Sequence, residues 1–231
     1  MRYNMEVAML EKEISGYIGK LLRENFGRGP GNVFCTISRP FVSIYITNFL
    51  SPMENTLLTN QQSVYVQKTR DLMMENLEEE IKSYIEFNTK DKIKEFYYDW
   101  NLDEKSGMLL FIFEKDQPYN FDAYHNKNLV EKETIELSMQ IQKAPEETHS
   151  KLLNERTLII VRHGILISLE KEFIQLGFQE TLKVVKRKLE KKVINQHQSS
   201  YEKYLNAEIT DYFVDWNFDK DKSYTLFILK P

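Results

Sequence analysis

Apolar residues recur over the first turns of the chain as Val7, Leu10, Ile14, Tyr17, Ile18, Leu21 and Leu22, the i, i+3, i+4, i+7 spacing of a helix with one broad apolar face. The period then drops to two. Val33 to Ser38 and Phe41 to Asn48 alternate, with Val42, Ile44 and Ile46 on one side, and Arg39-Pro40 between them suits a tight turn, so this stretch predicts a hairpin. In the stretch Leu50-Ser51-Pro52-Met53-Glu54, Ser51 is a helix N-cap, Pro52 sits at the first helical position, and Glu54 is the reciprocal carboxylate of a capping box. A long helix follows, with a seam of Val66, Arg70, Met73, Leu77, Ile81, Tyr84 and Ile85, and a second hairpin turns at Asp103-Glu-Lys-Ser-Gly107.

The whole series then repeats. Asp99-Trp-Asn-Leu-Asp103 returns 116 residues later as Asp215-Trp-Asn-Phe-Asp219, a step that carries one of the chain's two tryptophans onto the other. The same step carries Leu50 onto Leu166, Glu54 onto Glu170 and Val42 onto Leu158, and one shift of a single residue places Pro30 on Pro145 and Arg28 on Lys143. The period is domain-sized, so the reading is two domains, 1–116 and 129–231, joined by a linker at 117–128. Each is expected to be an α+β unit of helix, hairpin, short helix, long helix and hairpin: a four-stranded antiparallel sheet with helices on one face. In the second copy the first helix follows Val130, Thr134, Leu137 and Ile141, and the long helix is expected to bury Leu182, Val185, Leu189 and Val193.

Charge separates the copies. The net formal charge is −4; residues 1–116 carry 14 basic against 18 acidic side chains and residues 117–231 carry 17 of each, so the acidic excess lies in the first copy. That balance argues against a general nucleic-acid binder, which needs a basic footprint. Opposite the expected seam of the second long helix, Lys183, Lys186, Arg187, Lys188, Lys191 and Lys192 form a basic run, and Lys183, Arg187 and Lys191 are candidates for a charged interaction face. An anionic membrane surface, an acidic partner or the acidic long helix of a second copy would meet it. The single cysteine, Cys35, permits no internal disulfide and fits a reducing compartment. The longest apolar runs fall far short of the roughly 18 residues of a spanning helix, and the N-terminus meets charge before any secretory core, so a soluble chain is expected.

Signals for chemistry are sparse. The stretch Gly27-Arg28-Gly29-Pro30 follows a helix and precedes a strand, the reverse of a phosphate-cradling loop, so it reads as a helix stop whose arginine is available to a partner carboxylate. Asp99, Asp103 and Glu54 are the carboxylates an enzyme would use, but Asp and Asn at a strand end commonly bond their own backbone. His125, His149, His163 and His197 have no metal-ligand spacing, and no nucleophile elbow is present. No metal or other cofactor is therefore expected.

Two motifs carry a family resemblance. Gly27-Arg28-Gly29-Pro30 and Leu50-Ser51-Pro52-x-Glu54, together with the hairpin between them and the long polar helix, resemble the MpsC-like family, named for the C component of a bacterial Na+-translocating, membrane-potential-generating system. The second copy keeps Pro145, Leu166 and Glu170 but has Gln142-Lys143-Ala144 and Ile167-Ser168 in place of the rest, so it is a degenerate copy. The resemblance implies a cytoplasmic accessory or regulatory protein without catalytic residues. It would be linked to membrane cation or inorganic-carbon transport subunits, or to its own kind, at the inner face of the membrane. Candidate binding residues are then Gly27, Arg28, Gly29, Pro30, Ser51, Pro52 and Glu54; the alternative is a sensor that holds a small ligand or anion between Arg28 and Glu54.

Overall fold

A computed structural model describes residues 2–114 and 121–230, and the chain divides into two compact units, Met1–Pro118 and Tyr119–Pro231. The expected linker 117–128 falls partly on residues 115–120, outside those described. The first unit runs α1 (Arg2–Phe26), β1 (Asn32–Ser38), β2 (Phe41–Thr47), α2 (Pro52–Thr59), α3 (Ser63–Thr89), β3 (Ile93–Asn101) and β4 (Ser106–Phe113). The second repeats it with α4 (Lys127–Ile141), β5 (Glu147–Asn154), β6 (Thr157–His163), α5 (Ser168–Gln175), α6 (Gln179–Leu205), β7 (Glu208–Asn217) and β8 (Lys222–Lys230). Both are α+β.

Each unit holds one antiparallel four-stranded sheet, ordered β1-β2-β4-β3 and β5-β6-β8-β7. The alternation in β2 has the consequence expected of it: Val42, Ile44 and Ile46 join Ile14, Ile18 and Leu22 of α1 and Met74, Leu77, Ile81 and Ile85 of α3 in one core. The alternate set, including Phe41, Leu110 and Ile112, is buried as well, so both faces of the strands are closed to water.

Local chemistry sets the element ends. Gly27 has φ 71°, the left-handed conformation that stops α1. Lys90 and Asn206 end the long helices in the same conformation and accordingly donate their backbone N–H groups to Glu86 and Glu202. The one-residue shift between the copies is also explained. The buried positions of α1 (Ile14, Ile18, Leu21, Leu22) and of α4 (Val130, Thr134, Leu137, Ser138) lie 116 apart, whereas β1 and β5 begin 115 apart, so the residue is lost in the loop between helix and strand. A bulge between Leu152 and Asn154 restores it, since Ser38 pairs with Phe41 and Asn154 with Thr157.

The seam of α6 differs from the expected one. The helix buries Lys186, Arg187, Glu190, Val193, Ile194 and Tyr201, while Val185 and Leu189 stay exposed. Apolarity located the α3 seam at Val66, Arg70, Leu77, Ile81 and Ile85, but Met74 is buried in place of the expected Met73, and Tyr84 is half-buried. It misplaced the α6 seam by about one position because the second core is partly made of charged side chains.

Candidate functional site

The capping-box glutamate is the centre of a site that the two copies share. Ser51 accepts the Glu54 backbone N–H on Oγ at 3.3 Å, and Glu54 Oε2 accepts the Ser51 N–H at 2.7 Å, closing the reciprocal box. The same carboxylate then meets α3: Arg70 Nε donates to Glu54 Oε1 at 2.7 Å and Nη2 to Oε2 at 3.1 Å, a bidentate pair inside the protein. Arg70 Nη2 also donates to the Phe49 carbonyl at 2.8 Å, and the guanidinium lies 4.5 Å from the centre of the Trp100 ring and 4.9 Å from that of Phe49. Burial alone would push the Glu54 carboxyl up; the Arg70 guanidinium and the Ser51 bonds overcome it and hold the group below the usual carboxylate range. One charged group thus ties the start of α2, the first third of α3, the loop after β2 and the end of β3 together.

The second unit rebuilds this site from other residues. Lys186, 116 residues after Arg70, donates Nζ to Glu170 Oε1 at 2.6 Å and lies 5.8 Å from the Trp216 ring centre. Glu170 Oε2 accepts the Ile167 N–H at 3.0 Å, but an isoleucine side chain has no oxygen to return the bond, so only the carboxylate arm of the box survives. In the first unit Phe26 packs edge-on against Phe49 near Trp100; at the Phe26 position the second has Gln142, whose Oε1 accepts from Lys186 Nζ. A lysine is a point donor, and it takes a side-chain amide as its further acceptor where Arg70 takes a carbonyl.

Glycine decides how the tryptophan lies. A Cβ on Gly107 would collide with the Trp100 ring, so the bare strand lets the indole settle over the backbone and face Arg70. The equivalent residue is Ser223, and there Trp216 stacks towards Phe218.

Of the carboxylates weighed for catalysis, Glu54 and Asp99 are taken up inside the fold, and Asp103 is exposed in the turn after β3. Asp99 is buried and accepts the Trp100 N–H at 2.8 Å, Asp215 does the same for Trp216 and also takes Lys183 at 2.8 Å, and Asn101 Oδ1 accepts the Glu104 N–H. Among the described residues no group of three or more His, Cys, Asp or Glu side chains could hold a metal ion. Burial pushes the Cys35 thiol up, which keeps it protonated.

The motif residues separate into inside and outside. Glu54 is buried and Ser51 half-buried, whereas Pro52, Gly27 and Arg28 are exposed and Pro30 partly so. Glu54 is taken up inside the fold by Ser51 and Arg70, whereas Arg28 lies exposed on the loop after α1. A Cβ at Gly29 would lie 2.7 Å from Nε of Arg23, an exposed and flexible side chain that can swing aside, and the second unit has Ala144 at this place. The basic run is likewise divided. Arg187 is buried, Lys183 engages Asp215, Lys191 is half-buried, and the exposed lysines are Lys188 and Lys192. A shallow depression of about 420 Å³ lies at the end of α3, lined by Ser83, Glu86, Phe87, Lys90, Asp91 and Lys92, where Glu86 already takes Lys92 and the Ile93 N–H.

Arg70 and Lys186 carry the shared site, where the periodicity had placed Arg70 only as a seam position and Lys186 only in the basic run. Their signal was available: each is a cation inside a helical seam, and the repeat keeps it. A second cluster was also missed. Arg162 donates to Ser223 Oγ and Ser138 Oγ, both at 2.9 Å, and pairs with Glu190, all buried, while His197 bonds Glu133 at 2.5 Å and Gln140 at 2.8 Å. Its signal was the arginine within the apolar strand Thr157-Leu-Ile-Ile-Val-Arg-His163.

Comparison with known proteins agrees with the motifs. The model of the family described as "Na+-translocating membrane potential-generating system (MpsC)" matches residues 6–115 and again 130–231. No curated protein and no solved structure matches the chain. No helix among the described residues is long and apolar enough to cross a membrane.

Proposed function

The chain belongs to the MpsC family over both of its units, and we propose that it is a non-catalytic accessory or regulatory component of a bacterial membrane cation or inorganic-carbon transport system, working at the cytoplasmic face by binding subunits of that system. The family match carries the reading, because its description names a membrane-potential-generating system. Two features of the molecule support binding over catalysis. The repeated carboxylates Glu54, Asp99, Glu170 and Asp215 each accept a backbone N–H or pair with a cation inside the fold. Meanwhile the motif residues that reach the surface are Gly27 and Arg28 at the stop of α1 and Pro52 at the start of α2.

The experiment is co-purification. A tagged chain recovered from detergent-solubilised membranes of cells that express a Na+-translocating complex is expected to retain membrane subunits, and Arg28→Ala to retain them about fivefold less, the worth of about 1 kcal/mol. Failure of the unaltered chain to retain any such subunit overturns the function. Equal retention by Arg28→Ala overturns the role of the 27–30 loop.

A further inference from the structure

Two positions of the seam expected for α6, Val185 and Leu189, stay exposed. Val185 (57% exposed) and Leu189 lie on the flank of α6 next to its buried seam, and the adjoining α5 and its turn add Leu169, Phe173, Leu176 (70% exposed) and Phe178. The first unit shows the same feature on the same elements: Met53 (75% exposed), Tyr65 and Leu72 (54% exposed) lie on α2 and the first half of α3. Single exposed apolar side chains need no explanation, but clusters this size mark interaction sites, and here one recurs on the equivalent helix pair of both copies.

The charge around the two faces differs in sign. Lys188 and Lys192 are exposed beside Leu189 on α6, and Glu75 and Glu79 are exposed beyond Leu72 on α3. Of the exposed charges, α3 carries Lys68 against Glu75, Glu79 and Glu80, and α6 carries Lys188, Lys192 and Lys203 against Glu180, so the excess is acidic on the first helix and basic on the second. Two first-unit faces would set acid against acid and two second-unit faces lysine against lysine. Only the mixed pairing joins apolar centres within complementary rims.

We propose that the α2/α3 face of one chain docks on the α5/α6 face of a second copy, so that two chains related by a two-fold axis make this contact twice and close into a dimer. The pairing is independent of the proposed membrane role, since the purified chain alone decides it.

Sedimentation velocity and light scattering on the purified full chain are expected to show twice the mass of the 27.6 kDa monomer at micromolar concentration. Val185→Asp and Leu72→Glu, both at exposed positions, are each expected to halve that mass while circular dichroism is unchanged. The pair Lys188→Glu with Lys192→Glu is expected to weaken the dimer, and adding Glu75→Lys and Glu79→Lys to the same chain to restore it. A chain that stays monomeric at every concentration overturns the proposal, whether its faces close on each other internally or bind anionic lipid vesicles instead. A dimer that Val185→Asp and Leu72→Glu leave intact overturns it equally.

Discussion

Where the first unit buries Met74 the second buries Glu190, and where the first has Ile46 the second has Arg162. The step of 116 continues the exchange: Leu22 to Ser138, Gly107 to Ser223, Ile81 to His197 and Ile85 to Tyr201. One apolar slice of the first core has become a network in which Arg162 donates to Glu190, Ser138 and Ser223, with Thr134 and Tyr201 bonded beside them, while Glu190 Oε2 is buried without a hydrogen-bond partner. The shared site moves in the opposite direction. The first unit clamps Arg70 between a bidentate carboxylate and two aromatic rings; the second makes do with Lys186, half a capping box and an amide. The fold therefore tolerates a charged core or a weakened clamp, provided each buried charge keeps its partner.

That comparison breaks most sharply at the Arg162 and Glu190 pair. Arg162→Ile alone leaves Glu190 buried without its cation and is expected to cost about 3–5 kcal/mol of stability in the second unit. Arg162→Ile with Glu190→Met installs the residues of the first unit, and the double variant is expected to recover most of that loss or to exceed the parent by about 1–4 kcal/mol. Each unit has one tryptophan, so urea titrations followed by fluorescence of Trp216 in a Trp100→Phe background read the second unit alone. A double variant as unstable as the single one would mean that the network's hydroxyls, and not its charge balance, hold this core.

Arg70→Met makes the matching test in the first unit, again with an expected loss of about 3–5 kcal/mol. Arg70→Lys, the residue the second unit uses, should lose less. Acidity separates the cases. In the parent the Glu54 carboxyl is held below its unfolded value, so its contribution is present above about pH 4.3 and is lost as pH falls through the lower folded value. In Arg70→Met the buried carboxyl has no cation and its pKa rises above the unfolded value. The variant's deficit then shrinks as pH falls and grows as pH rises, the opposite slope. Parallel pH profiles for the two proteins would refute the assignment of Arg70 as the charge that holds Glu54.

Gly107→Ser carries the second unit's residue into the first and meets the Trp100 ring, so a loss of about 1–3 kcal/mol is expected, as for other insertions into a filled space. Ser223→Gly is not the mirror of that change, because the Ser223 hydroxyl accepts Arg162 Nε at 2.9 Å and its removal takes a partner from the buried arginine.

How much of this was legible in the sequence follows from the same difference. Periodicity located the helices, the hairpins and the capping box at Ser51 because each depends on local spacing that needs no knowledge of the core. It found most of the α3 seam and missed the α6 seam for one physical reason. Lys186 and Glu190 are core residues only because Glu170, Gln142 and Arg162 reach them from other elements, and no window along the helix contains those partners. The site followed the same rule: Glu54 was found through its cap, and Arg70 became part of the site only when α3 was laid beside it.

The smallest effect belongs to the capping box, and there the copies make opposite predictions. Ser51→Ala removes the oxygen that accepts the Glu54 N–H and is expected to cost about 1 kcal/mol. Ile167→Ser supplies the oxygen that the second unit lacks, opposite the Glu170 N–H and beside a carboxylate already bonded to the residue 167 backbone. It should stabilise the second unit by about 0.5–1 kcal/mol, less whatever packing the half-buried isoleucine contributes. Hydrogen exchange across α2 and α5 measures both: slowing at α5 in Ile167→Ser and quickening at α2 in Ser51→Ala would show that the box is a transferable local device. A loss of protection at α5 on Ile167→Ser would mean instead that the second unit replaced the cap with apolar packing and now depends on it.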